Sequence, residues 1–189
     1  MNESTKYIFD EIKTRVWSGF DTAEDVHQLI DDMLSDDGED VDEAILRAAV
    51  EPEFRQKLTA ETTWPVRTDC DHLDTAFDSL NKIGIIALHN AGVTQSDGLS
   101  DVGEALRERG RSGITGYCFY HWQDIERAVQ GLGLWLAFGD LDDNKTAKVD
   151  IGKVIKETLE RNTLTVEWDG NPDTRLRIPV FDWKRRTPR

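Results

Sequence analysis

Ile83-Gly84-Ile85-Ile86-Ala87-Leu88-His89 is the stretch on which the fold turns. Ahead of it, apolar residues recur every three or four positions, the spacing of one helix face. From it onward, short apolar runs alternate with helical stretches. A run this short, closed by the polar His89 and Asn90, fits a buried strand. Residues 95–109 then read as a helix stopped by Gly110, residues 114–121 as a second strand, and residues 122–130 as a short helix. Residues 132–138 make a third strand. Residues 148–161 make a helix with Ile151, Val154, Ile155 and Leu159 on one face. Residues 163–168 and 175–181 alternate like an antiparallel hairpin around Asp169-Gly170-Asn171-Pro172, with Leu164, Val166, Trp168, Leu176, Ile178 and Val180 toward the core and Glu167, Arg175 and Arg177 outward. The order is helices, then βαβαβαββ. It predicts an α+β or α/β fold, a mixed sheet with helices packed on it.

The 80 residues before the sheet read as helices throughout. Ile8, Ile12 and Val16 fall four apart, and Val26, Leu29, Ile30, Met33 and Leu34 trace one stripe. That stripe predicts Leu29, Ile30 and Met33 buried and Asp25, Asp32 and Asp36 exposed. Asp42 caps a third helix carrying Ile45, Leu46, Ala49 and Val50, which Pro52 is expected to break or kink. A fourth starts at Thr68 or Asp69 and turns Leu73, Ala76, Phe77 and Leu80 inward. The reading divides the chain into an acidic helical subdomain, 1–80, and a sheet domain, 81–189, within one compact unit.

Charge follows the same division. Lys and Arg number 23 against 37 Asp and Glu, a formal net charge of −14. Residues 1–80 hold 7 of the basic and 21 of the acidic residues, and residues 81–189 are balanced. Residues 21–43 carry 11 carboxylates and no cation. Such a surface repels a phosphate backbone, so no direct nucleic-acid binding is expected; a basic protein partner suits it. A hydrophobic share of 38% is enough for a core. The absence of a long apolar run or signal segment predicts a cytoplasmic protein with no membrane contact.

Most chemical motifs fail. There is no phosphate loop, and Gly131-Leu132-Gly133 continues to Leu136 where a dinucleotide fingerprint needs its third glycine. A calcium loop around Gly38 lacks its ligands at Met33, Ser35 and Ala44. Cys70-x-His72 and Cys118-x2-His121 offer four zinc ligands, but neither half has the spacing of a structural site. No metal or cofactor is therefore expected. What survives is topological. The three central strands end in His89-Asn90, in His121 with Gln123 and Asp124, and in Asp140. Were all three parallel, these groups would share the sheet edge at which open α/β sheets bind ligands. His89, His121 and Asp124 are the catalytic candidates there, and Gln95, Asp97, Gln123 and Asp140 the ligand-binding ones. The competing reading makes them helix caps and turn formers.

Residues 116–128, Gly-Tyr-Cys-Phe-Tyr-His-Trp-Gln-Asp-Ile-Glu-Arg-Ala, lead into Gly133-Leu134-Trp135-Leu136-Ala137-Phe138-Gly139. With Val166-Glu167-Trp168-Asp169-Gly170, Arg177-Ile178 and Asp182-Trp183-Lys184-Arg185-Arg186, they resemble a family of uncharacterised bacterial proteins. The resemblance covers roughly residues 64–186. It implies a bacterial, cytoplasmic setting and no mechanism. Two functions remain open: a non-enzymatic binding or regulatory protein presenting its acidic helices, immunity- or antitoxin-like, and a small enzyme or ligand binder using the strand-end crevice.

Overall fold

A computed structural model describes residues 2–37 and 41–188. The expectation for Asp36 lies outside the described side chains. Among the described residues, seven helices and a four-stranded mixed sheet make an α+β fold with its first helices N-terminal. The chain divides into two compact units, residues 1–68 with 184–189, and residues 69–183.

The first unit is built from α1 (Glu3–Ser18), α2 (Ala23–Asp37) and α3 (Glu43–Glu61). Asn2 caps α1 by accepting the Thr5 N–H, and Asp42 caps α3 through Ile45. Ile8, Ile12, Val16, Val26, Ile30, Leu46, Val50 and Phe54 form its core, with Met33 and Leu34 packed partly buried against it. Ile30 is buried as its stripe requires, whereas Leu29 and Met33 are half-buried, at the rim of that stripe. Asp25 and Asp32 are exposed. Of the break or kink expected at Pro52, the break does not occur: α3 runs through it. Proline deletes one backbone hydrogen bond, and both Pro52 and Ala48 lie in solvent, where water serves the freed carbonyl.

The second unit holds α4 (Asp69–Lys82), β1 (Ile85–Leu88), α5 (Gln95–Arg109), β2 (Gly116–Phe119), α6 (Trp122–Val129), β3 (Leu134–Asp140), α7 (Lys145–Arg161) and β4 (Leu176–Ile178). Strand order is β1-β2-β3-β4. β1 and β2 are parallel, joined through α5; β3 runs antiparallel to β2, and β4 to β3. Alternation along the strands gives each face its own helices. Leu88, Phe119 and Ala137 lie abreast and pack with Val102 of α5. On the other face, a side chain at Gly116 would meet Ile151 of α7, and Phe77 of α4 packs 6.0 Å from Tyr120.

Residues 163–168 meet the last strand antiparallel, as a hairpin would, through one bridge between Glu167 and Arg177. β4 therefore has a full ladder on β3 alone, the arrangement of an edge strand, and Pro179 follows it. Leu164, Val166, Leu176 and Ile178 are buried, and Trp168 is half-buried against Phe138. Two expectations fail here. Val180 is 80% exposed because the strand has ended, and Arg175 turns inward.

Candidate functional site

The parallel pair β1–β2 brings the residues after Leu88 and after Phe119 to one sheet edge, but alternation then parts them. His89 lies on the α4 face. Its ring stacks on Phe77 at 4.5 Å, its Nδ1 is 2.8 Å from the Tyr120 hydroxyl, and its Nε2 is 3.5 Å from Asp74. His121, one residue beyond Tyr120, turns to the opposite face, beside α6. The two imidazoles do not share a pocket. Asp140 is more distant still. Because β3 is antiparallel, Asp140 pairs with Gly116 at the start of β2, the far end of the sheet from His121. There its carboxylate accepts the Asp142 and Asn144 N–H groups at 3.0 and 2.8 Å and shapes the turn into α7.

Gln123 is exposed in the first turn of α6, and Gln95 is exposed at the start of α5. Asp97 closes a capping box with Thr94: its carboxylate accepts the Thr94 backbone N–H at 2.9 Å, and those bonds hold it below the ordinary aspartate range.

One buried constellation remains. His121 is the N-cap residue of α6, and its backbone N–H donates to Asp124 at 3.2 Å. The same Oδ2 lies 3.2 Å from His121 Nε2 and accepts a bond from the Arg175 guanidinium at 2.5 Å. That guanidinium also donates to the Trp135 carbonyl at 3.1 Å. The Asp124 side chain is fully buried, and His121 nearly so. Burial pushes the imidazole below its ordinary range; Asp124 opposes that shift, and Arg175 and Arg127 reinforce it. A neutral ring donating Nε2–H to Asp124 keeps its lone pair on Nδ1. His121 Nδ1, Asp124 Oδ1 and Arg175 Nε are all buried without a hydrogen-bond partner.

Arg175 was missed in the sequence. Strand alternation faced it outward, and its reach to a carboxylate 51 residues earlier leaves no local signal. Both cysteines are free and buried, and burial pushes the Cys118 thiol far up. Among the described residues, no group of three His, Cys, Asp or Glu is arranged to hold a metal ion. No helix among them is long and apolar enough to cross a membrane.

On the first unit, the acidic run has become surface. Glu24, Asp25, Asp31, Asp32, Asp42 and Glu43 are exposed, and residues 38–40 lie outside the described residues. Arg47 pairs with Asp31 and, at 2.7 Å, with Glu43. Asp21 is set apart. It is half-buried, 3.8 Å from Arg15, and burial raises its carboxyl although Arg15 and Ser18 pull the other way.

Residues 1–187 match the model of a family described as a domain of unknown function, DUF6891. The chain belongs to this family. The DUF6891 match takes in the N-terminal helices, which the resemblance read over residues 64–186 had left out. It agrees with that resemblance in attaching no activity to the chain. No curated protein and no solved structure matches it.

Proposed function

We propose that this DUF6891 chain binds a basic partner protein through the acidic surface of α2 and the start of α3. One observation carries this reading: six carboxylates between Glu24 and Glu43 stand in solvent, and Arg47 is the cation that reaches two of them. A field of one sign speeds encounter with a complementary partner and rejects like-charged ones. An immunity- or antitoxin-like protein is the form of regulator this surface suits. The test is affinity capture from the host at low salt, with the wild type beside a Glu24→Lys/Asp25→Lys/Asp32→Lys variant. A basic protein held by the wild type, released by salt and lost by the variant supports the reading. Retention of the same proteins by the variant overturns it.

A second reading, a small enzyme or ligand binder at the strand ends, rests on the unpartnered Nδ1 of His121 beside the equally unpartnered Asp124 Oδ1. A neutral imidazole oriented by a carboxylate is the arrangement of a general base. Substituting His121→Gln removes proton transfer while keeping polarity. Loss of stability alone, with every other property intact, would return the pair to a structural role.

A further inference from the structure

Between the first turns of α5 and α7, beside β3, a cavity of about 70 Å³ opens next to Arg175. Gln95, Tyr117, Phe138, Lys148, Thr174 and Arg175 contribute to its lining. One water needs about 10–15 Å³ of such space, so it is enough for a ligand of a few heavy atoms.

Charge balance selects the ligand. The Arg175 guanidinium is already offset by Asp124, and Asp173 at the rim is held by Lys145 at 3.1 Å. Lys148 has no such carboxylate among the described residues. Its ammonium stands 5.6 Å from the centre of the Phe138 ring. The cavity therefore offers one uncompensated positive charge beside the exposed Leu99 side chain and the Tyr117 ring. Tyr117 adds a phenol that stays protonated, because burial and then Asp140 and Asp143 push it up. Those two carboxylates also oppose a second negative charge on any occupant.

We propose that this cavity binds a short-chain monocarboxylate, its carboxylate on Lys148 and its alkyl chain against Leu99 and the Tyr117 ring. A phosphate dianion fits less well, since it brings two charges to one free ammonium beside Asp140 and Asp143. This inference is independent of the acidic surface of α2 and α3, so either can fail alone.

The experiment titrates butyrate, and separately inorganic phosphate, into the full chain at low salt. Amide chemical shifts and heat are followed for the wild type, Lys148→Met and Lys148→Arg. The expected result is saturable butyrate binding on the order of millimolar, with shifts at residues 95–99, 117, 148 and 174–175. Lys148→Met should weaken it about tenfold or more, the loss of one charge-assisted bond, and Lys148→Arg should restore most of it. Because the phosphate comparison needs only the wild type, the idea stays exposed even if Lys148→Met does not fold. No saturable response to butyrate, tighter binding of phosphate, or unchanged affinity in a folded Lys148→Met would each overturn the proposal.

Discussion

Asp124 holds three groups with one carboxylate: the His121 N–H, the His121 ring and the Arg175 guanidinium. Removing one partner of a buried pair strands the other, which typically costs about 3–5 kcal/mol, whereas removing both costs far less. Asp124→Ala should therefore lower stability by about that much in urea unfolding. Asp124→Ala/Arg175→Met should recover a large part of it. Full additivity of the two single changes would show that the pair is not coupled. His121 makes a second claim. Its folded pKa is depressed, so the unfolded chain takes up its proton first as pH falls. The stability it contributes is complete above the unfolded value of about 6.5 and declines below it. Between pH 8 and 5.5 the wild type should lose more stability than His121→Gln; equal slopes would contradict the depressed imidazole. In the sequence His121 and Asp124 were legible as a capping pair, but their third member was not. A side chain as long as arginine joins groups that no local spacing records.

Some helix ends were legible because their signals are local, although α7, expected from residue 148, starts at Lys145 behind its Asn144 cap. Gly110 announces the stop of α5, and the expected and observed bounds, 95–109, coincide; Thr94 and Asp97 close its first turn. The direction of β3 was not legible. Fourteen residues separate Phe119 from Leu134, enough for a crossover and also for the antiparallel return that occurs. That one direction moves Asp140 to the far end of the sheet and dissolves the expected crevice. Packing of α5 on the sheet hangs on Gly98, where an added Cβ would sit 2.2 Å from the fully buried Phe119 ring. Gly98→Ala should cost about 1–3 kcal/mol despite alanine's better helix propensity, as overpacked cores do. A neutral or stabilising result in thermal unfolding would mean that α5 can shift. Pro52→Ala should act the other way. It restores the missing hydrogen bond in the middle of α3 and should raise stability by about 1–3 kcal/mol, less than the full proline penalty because the site is solvated.

At the scale of the molecule, the unit boundary falls at residue 68 rather than at a change in charge, so α4 is counted with the sheet. Residues 184–189 return to the first unit and bring basic side chains to it. Arg185 lies 4.7 Å over the Phe20 ring, Arg186 donates to the Pro65 carbonyl at 2.8 Å, and the Thr187 hydroxyl donates to Glu61 at 2.7 Å. Arg185→Ala/Arg186→Ala should destabilise the first unit by about 2–4 kcal/mol, the scale of one cation–π contact together with one charged hydrogen bond. Urea unfolding followed at Trp17 would read it, and an unchanged midpoint would make the segment a passive tail.

That return has a consequence in time. The ribosome makes a chain from its N-terminus, and domains fold as units as they emerge. The three helices of the first unit leave the ribosome first, yet their unit lacks residues 184–189 until the whole second unit has been synthesised. A nascent chain arrested before residue 184 holds every residue of its sheet and of its helical core, and lacks the segment that packs on Phe20, Pro65 and Glu61. The part translated first is the part finished last, and its acidic helices pass through that interval without their basic closing segment.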